Sequence, residues 1–496
     1  MPLSRQFART IPAFTLFFLF WLNCTTAQTT VQWTDPIDIV GDSGQGTASP
    51  RIALYPDGSP AVLWGKGGSA PAILFSRWQN GVFTPPVQIS TGGVFPGIYD
   101  FGGLDLAIHG DTVYVAFERI DKGIYLARST NQGASFEPPV PVYKSNAGPL
   151  VTLPSVAVTP QGVVLVSYLF ENANETNALY HLARSTDGGQ TFSQPVVASA
   201  PAAGDHVCEC CPSDILCQGD SVWLAFRNLQ PGNIRDIWVS ASADQGASFS
   251  AAVDVDDTNW VQSVCPSSAP RMHSTGDSLV TVWMSRGTGI TRVHGSAFAV
   301  SDTMAAPGFT FEFSGTNGTQ NHPDIAGQAD TIGVVWEESG IPGNSTEVFF
   351  TFSTQGTQGL PDQIRNLTQA PGAQKSPALA YRNGAFHLIY ADVLSARVWY
   401  RKGVVTMANA TTAADQLPQV SVFPNPATTT IRLDWPERIN MDAFQLTNAY
   451  GRVCRQWQDV RPGQQLSVAG LPPGMYYLQY GKKYRRRTQK IVVLGR

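Results

Sequence analysis

Three arginines and a set of carboxylates in this 496-residue chain fall at matching offsets of a pattern that recurs seven times. Immediately after an anchor position stand Arg51, Asp105, Ser155, Asp214, Arg271, Asp324 and Ala378. An aromatic follows each anchor by 13 or 14 residues, and just past it come Lys66, Glu118, Arg119, Arg227, Asn228, Glu337, Glu338 and Asp392. Charges beside apolar runs are costly unless they are paired or used, which leaves two readings. One is a belt of ion pairs between neighbouring repeats; the other is a pocket for a charged or sugar ligand. Guanidinium groups suit a pocket because two parallel N–H bonds match a carboxylate, so Arg51, Arg227 and Arg271 are the candidate anion clamp. Asp105 and Glu337 are candidate catalytic carboxylates, and Glu118, Arg235 and Asp324 candidate ligand contacts.

Cysteine offers a second chemistry. Cys24 and Cys454 lie near the two ends, while Cys208, Cys210, Cys211, Cys217 and Cys265 cluster. In an exported chain such a cluster reads as disulfides, with Cys208, Cys210, Cys211 and Cys265 as the candidates and one thiol left over. The alternative is a soft metal held by Cys208, Cys210 and Cys211 with His206 or Cys265, although Cys-x-Cys-Cys is not a standard zinc spacing. No cofactor is expected.

The elements that must position these groups are short strands. The clearest copies run from Pro50 to Trp64, Pro154 to Tyr168, Pro270 to Trp283, Pro323 to Trp336 and Pro377 to Tyr390; weaker ones run from Leu104 to Phe117 and Ser213 to Phe226. Successive anchors are 54, 50, 59, 57, 53 and 54 residues apart, a period that points to a propeller. Within repeats lie three octads of the form Ser-x-Asp/Asn-x-Gly-x-Ser/Thr-Phe, beginning at Ser129, Ser185 and Ser242. Their Asp or Asn and their Gly predict a hairpin turn. Each repeat thus reads as strands A, B, C, an octad turn and D, one four-stranded blade. The seventh repeat lacks its D strand, and the orphan segment Val31–Val40 is expected to supply it and close the ring. The fold class is all-β, with seven blades expected and six the alternative. In such a ring the D–A and B–C loops share one face, so the slot residues surround one central pocket. The loops of Cys208–Cys211 and Cys265 share that face, which makes a bridge between them sensible.

The octads resemble the Asp-boxes of sialidase-type β-propellers, where the box is a fold-stabilising turn far from the active face. Enzymatic sialidases have six blades, so seven is a departure. Pro50-Arg51-Ile52-Ala53 is similar to the Arg-Ile-Pro element whose Arg grips a sialic acid carboxylate. The resemblance further implies a Tyr nucleophile activated by Glu and an Asp acid. No acidic residue lies between Gly58 and Tyr99, so Asp100 or Asp105 would have to serve, and no Tyr–Glu pair is evident by spacing. The stretch from His206 to Cys211, with Arg227-Asn228, Arg235-Asp236 and Trp260 to Cys265, resembles a bacterial subgroup of secreted sialidase-like propellers.

The ends of the chain address export. Arg5 and Arg9, the apolar run from Ile11 to Leu22 and Thr25-Thr26-Ala27 read as a signal peptide over 1–27. After an Ala/Thr-rich linker, 407–419, come Val420-Ser421-Val422-Phe423-Pro424-Asn425-Pro426, Leu471-Pro472-Pro473-Gly474-Met475-Tyr476 and Lys490-Ile491-Val492-Val493. Residues 420–496 resemble the C-terminal sorting domain of the type IX secretion system of Bacteroidetes, a small β-sandwich. The resemblance implies that type IX machinery is a partner and that the chain is secreted or held at the cell surface. The signal carries a charge of +2 and residues 416–496 one of +8, which leaves −14 on residues 28–415. So acidic a propeller is unsuited to nucleic acid, and no segment beyond the signal approaches the ~20 apolar residues of a membrane helix. The expectation is a sialidase-like propeller spanning 28–406, either a glycoside hydrolase acting on sialylated or other glycans or a non-catalytic module binding glycan or protein.

Overall fold

The computed structural model describes residues 28–40, 47–90, 95–120, 123–144, 150–172, 178–200, 206–300, 309–313, 318–340, 345–360, 363–408, 420–435, 443–448, 452–482 and 485–495. The expected signal peptide and nearly all of the expected linker lie outside the described residues. The regular elements of the described residues are β-strands, gathered into nine sheets.

Seven sheets follow the seven repeats in order. Their inner strands are Thr47–Leu54, Leu104–His109, Leu150–Val158, Asp214–Gln218, Arg271–Ser274, Thr319–Gln328 and Gln374–Arg382. Each touches the next, and the seventh touches the first. The result is a closed seven-bladed β-propeller. Blade 7 takes three strands from its own repeat and its outer strand from the N-terminal side of the chain. Gln28–Trp33 pairs antiparallel with Arg397–Ala408, Gln28 opposite Ala408 and Trp33 opposite Gly403, and Ile37–Asp38 continues along the same strand. This fastening covers what would be a free sheet edge.

The second strand of each blade is sandwiched between neighbouring blades, which is why these strands read as unbroken apolar runs. Pro60–Lys66 is buried at every position but the last. The aromatics that end the repeat motif, Trp64, Phe117, Tyr168, Phe226, Trp283, Trp336 and Tyr390, are at most 4% exposed.

The octads make the turns before the outer strands and bolt each blade to the one before it. Ser185 Oγ donates to Asp187 Oδ1 (2.7 Å) and accepts from the Gly189 N–H (2.8 Å), while Asp187 Oδ1 also accepts from the Thr191 N–H (2.9 Å). The same bonds recur from Ser129 and from Ser242. A side chain of the preceding blade donates to each turn: Tyr55 to the Gln132 carbonyl, Arg128 to Gly188 and Arg184 to Gln245, all at 2.8 Å. Gly133 has φ +78°, and a Cβ there would stand 2.0 Å from Phe75 Cε1 of blade 1. Glycine is therefore needed for backbone conformation and for close approach.

The remaining two sheets belong to the C-terminal region. One joins Ser421–Phe423, Thr430–Asp434 and Gln465–Ser467; the other joins Val453–Gln458, Ala443–Asn448, Gly474–Lys482 and Arg485–Val493. They share a core that includes Val420, Ile431, Leu433, Phe444, Leu446, Leu478 and Ile491, the expected small sandwich.

Candidate functional site

The anchor prolines mark β-bulges. In blades 1, 3, 6 and 7 the pairing of strands A and B slips between Ala48 and Arg51, Thr152 and Ser155, Asn321 and Asp324, and Lys375 and Ala378. The residue before each proline is left-handed: Ser49 at φ 47°, Leu153 at 53°, His322 at 46° and Ser376 at 50°. Proline has no N–H to give the ladder, so a bulge is where a strand tolerates it. The following residue is the slot side chain.

The slot residues first satisfy one another across blade boundaries. Asp105 accepts from Ser155 Oγ and the Val156 N–H, both at 2.9 Å, and Asp324 accepts from the Leu379 N–H at 2.7 Å. Asp214 accepts from the Met272 N–H at 2.8 Å. Arg271 lies 3.1 Å from Asp214 and 3.9 Å from Asp324, and Arg51 lies 3.6 Å from Asp105. The ion-pair belt also forms the floor of a pocket. Arg51, Arg271, Asp324, His322 and Ser376 line it, together with Asp100 and Phe101, around about 360 Å³ of space partly open to solvent.

The two pocket arginines differ. Burial lowers the pKa of Arg271, but Asp214, Asp324 and Asp105 more than reverse this. Burial and the like charge of Arg271 hold Arg51 down to about 10, with Asp105, Asp324 and Asp214 only partly opposing. Arg51 Nη1 donates to the Pro50 carbonyl (3.0 Å), while its buried Nε makes no hydrogen bond. Arg51 is thus the less neutralised cation. Burial pushes the Asp214 carboxyl up to about 6 against the pull of Arg271, and it raises Asp324 too.

The segment before blade 2 lies over this floor. Ser49 Oγ donates to the Tyr99 carbonyl (2.7 Å), and Ser376 Oγ of blade 7 donates to the Asp100 carbonyl (3.0 Å). On the far side, a Cβ on Gly102 would meet Pro212 of blade 4 at 3.1 Å. Residues 96–103 therefore span the axis. Within them Tyr99 stacks on Phe101 at 5.7 Å and donates its hydroxyl to Glu118 Oε1 at 2.8 Å. Thr152 Oγ1 donates to the other oxygen of Glu118. Burial raises the Glu118 carboxyl, with Thr152 and Tyr99 opposing; burial and Glu118 raise the Tyr99 phenol. Sequence spacing did not reveal this Tyr–Glu pair, because the partners sit on a loop and on the last turn-ward residues of a strand, 19 residues apart.

Glu337 stands behind the pocket wall. It is 8% exposed, accepts from the Ser376 N–H (2.9 Å) and lies 3.8 Å from His322 Nε2. Arg227 is the main correction to the expected cluster. It is fully buried between blades 4 and 5, donating to the carbonyls of Arg235 and Met284 (both 2.7 Å) with its guanidinium 5.2 Å from the Trp260 ring centroid. These partners hold it away from the pocket, whose lining includes two of the three expected arginines, Arg51 and Arg271. Arg235 is also outside the pocket lining: it donates to the Gln262 carbonyl and, at 2.9 Å, to Cys208 Sγ. Cys210 and Cys265 form a disulfide, the bridge across blades 4 and 5. With those two sulfurs bonded to each other, Cys208 and Cys211 are the thiols left to a metal. The sulfurs of Cys208, Cys210 and Cys211 lie within 4.8 Å of one another, so a soft metal is the other arrangement this cluster can take.

Residues 421–494 match the family model described as a secretion system C-terminal sorting domain. The chain ends in a type IX sorting domain. That tail directs it to the cell surface or the extracellular space, and no helix among the described residues is long and apolar enough to cross a membrane. No curated protein matches the chain. Among solved structures it is similar to a protein of unknown function from Dyadobacter fermentans, at 15% identity and TM-score 0.42, over 64% of this chain and 97% of that one. It is similar to a PL25 ulvan lyase bound to -[GlcA(1-4)Rha3S]-, at 11% identity and TM-score 0.49, over 74% and 95%. A third is the Trypanosoma rangeli sialidase in complex with the inhibitor DANA, at 11% identity and TM-score 0.43, over 94% and 89%. None of these likenesses bears on the chemistry of the pocket.

Proposed function

We propose that the sorted propeller binds carboxylated sugars at Arg51 and Arg271 and acts on them as a sialidase-like glycoside hydrolase. The observation that carries the reading is the pairing of an incompletely neutralised Arg51 with Arg271 in one open pocket, roofed by the segment that holds Tyr99 against Glu118. A carboxylate would take the Arg51 guanidinium through charge-assisted bonds. Tyr99 and Glu118 lie outside the pocket lining, so the phenol would have to turn into the pocket to attack, leaving its proton on Glu118, while Asp100, which lines the pocket, would supply the acid. The octad turns, read as Asp-boxes, and the division into signal 1–27, propeller 28–406, linker 407–419 and sorting domain 420–496 belong to the same reading.

A second reading has its own support. Arg271 is shared by two carboxylates, and the 96–103 segment covers the axis, which suits a non-catalytic glycan-binding module. A fluorogenic sialoside and a glycan array, run on wild type, Arg51→Ala and Tyr99→Phe, separate the two. Turnover lost in both variants, with binding kept in Tyr99→Phe, supports the hydrolase; binding without turnover in wild type supports the module. Binding to neutral glycans alone, untouched by Arg51→Ala, rules out the arginine pocket.

A further inference from the structure

The cysteines of blades 4 and 5 divide into an exposed bridge and a buried pair. Cys210 is bonded to Cys265, which is exposed. Cys208 and Cys211 are fully buried thiols, and a turn closed by the Cys211 N–H on the Cys208 carbonyl sets their sulfurs 3.2 Å apart. The two sets touch, since the Cys208 sulfur is 3.8 Å from that of Cys210. Cationic groups sit beside the buried sulfurs: Arg235 Nη1 donates to Cys208 Sγ at 2.9 Å, and the charge of Arg227 acts on both. A guanidinium next to sulfur favours thiolate, the form that attacks disulfides. Burial raises the Cys211 thiol, but the Cys208 hydrogen bond and Arg227 outweigh it and leave Cys211 below the ordinary thiol range. Cys208, which donates to Cys211 and is buried, is instead raised well above that range against the opposing charges of Arg235 and Arg227, so the pair holds its proton on Cys208 and its negative charge on Cys211.

We propose that these four cysteines form a thiol–disulfide relay, in which the buried Cys208/Cys211 pair exchanges electrons with the exposed Cys210–Cys265 bridge and, in the fully oxidised protein, is itself a disulfide. In the first step the Cys211 thiolate takes the proton that Cys208 already donates to it at 3.2 Å, and the Cys208 sulfur attacks the Cys210 sulfur. A Cys208–Cys210 bond forms, the Cys210–Cys265 bond breaks, and the electron pair leaves on the Cys265 sulfur, which takes a proton from water. In the second, the Cys211 sulfur attacks the Cys208 sulfur and expels Cys210, and the proton held by Cys211 passes to the departing Cys210 sulfur. The buried pair has then lost two electrons and the outer pair has gained two, with one proton passing from the buried pair to Cys210 and one from water to Cys265, so no outside oxidant enters. A disulfide compound reaching exposed Cys265 can reoxidise the outer pair, itself being reduced to two thiols. The ligand class is thus a small or peptide disulfide, and the relay operates independently of any glycan chemistry in the pocket.

The test uses the exported chain with Cys217→Ser and Cys454→Ser, fully reduced, then exposed to glutathione disulfide and quenched at intervals with N-ethylmaleimide for peptide mass mapping. All four thiols should be lost, with Cys208 linked to Cys211. Cys210→Ser removes the central sulfur and should slow oxidation of the buried pair at least tenfold. Cys265→Ser should not, because Cys210 can still accept a mixed disulfide. Should Cys210→Ser melt well below wild type, the variant-free arm decides: with one equivalent of glutathione disulfide, wild-type molecules should carry the bond in either pair. Buried thiols that stay alkylatable in excess glutathione disulfide would overturn the relay. So would a Cys210→Ser pair oxidising at the wild-type rate, a one-equivalent product bridged only at Cys210–Cys265, or stoichiometric metal on Cys208 and Cys211.

Discussion

Replacing Arg227 separates a structural arginine from a ligand arginine, two roles that the sequence makes look alike. The side chain is fully buried, and Arg227→Ala abandons two carbonyls, those of Arg235 and Met284, together with the Trp260 face. Hydrogen bonds from a charged donor are worth ~1.5–3 kcal/mol each, and a desolvated cation–π contact about 2 kcal/mol. Together these come to about 5–8 kcal/mol, before any relief from water entering the cavity. The buried carboxyls of Asp236 and Asp256 also lose a neighbouring cation that now lowers their pKa. A loss of that size rivals the ~5–15 kcal/mol that holds a typical domain together. Arg51→Ala, by contrast, gives up one bond to the adjacent Pro50 carbonyl and a 3.6 Å ion pair whose carboxylate keeps two other donors. Removing the Arg51 side chain also relieves its repulsion with Arg271, so the net loss is the smaller of the two. Urea unfolding followed by tryptophan fluorescence should therefore show Arg227→Ala collapsing to low midpoint and poor secreted yield, with Arg51→Ala close to wild type. An Arg227→Ala protein that unfolds at the wild-type midpoint but no longer binds ligand would refute the assignment and return the guanidinium to the pocket.

Asp187→Ala removes the acceptor that organises the second octad turn on its exposed side, and should lower the melting temperature by roughly 2–4 °C without changing ligand affinity. Hydrogen bonds, chiefly from Thr191, hold the Asp187 carboxyl well below the usual range. Its contribution is therefore present above about pH 4 and lost on acidification, so a wild-type–variant gap equally wide at pH 7 and pH 3 would count against this account. Asp214, whose carboxyl titrates near 6, competes with any anionic ligand for Arg271. Carboxylated-sugar affinity should rise as pH falls from 7 to 5.5 and lose that dependence in Asp214→Asn, as read by calorimetry. Deleting residues 28–40 strips the outer strand from blade 7 and should yield a propeller that aggregates through the exposed edge of Arg397–Ala408; a monomeric, fully stable product on size-exclusion chromatography would show that the ring does not need this fastening. Removing residues 416–496 should abolish secretion in the native host while leaving the propeller folded; unchanged secretion would contradict the assigned role of the tail.

What was legible in the sequence follows from what repeats. Blade count, strand order and ring closure rest on patterns that recur for the same physical reason: an aromatic buried between blades in all seven repeats, an anchor proline in five, and a serine with an Asp or Asn closing a turn in three. Seven copies of one constraint make it readable without knowing any neighbour in space. The pocket obeys no such repetition. Arg51, Arg227 and Arg271 are all charged slot residues, yet Arg227 sits on strand B, where the blade interface claims its guanidinium through Trp260 and two carbonyls, whereas Arg51 and Arg271 stand on strand A and line the pocket. Offset alone does not encode which side of a strand is shared with the next blade. Tyr99 and Glu118 illustrate the other limit. Their hydrogen bond depends on how residues 96–103 cross the axis, and that path is set by Ser49 in blade 1, Ser376 in blade 7 and Pro212 in blade 4. A loop whose course is fixed by three distant blades leaves no local signature, so the repeat-based reading marks Glu118 as a slot residue but leaves its partner Tyr99 unseen.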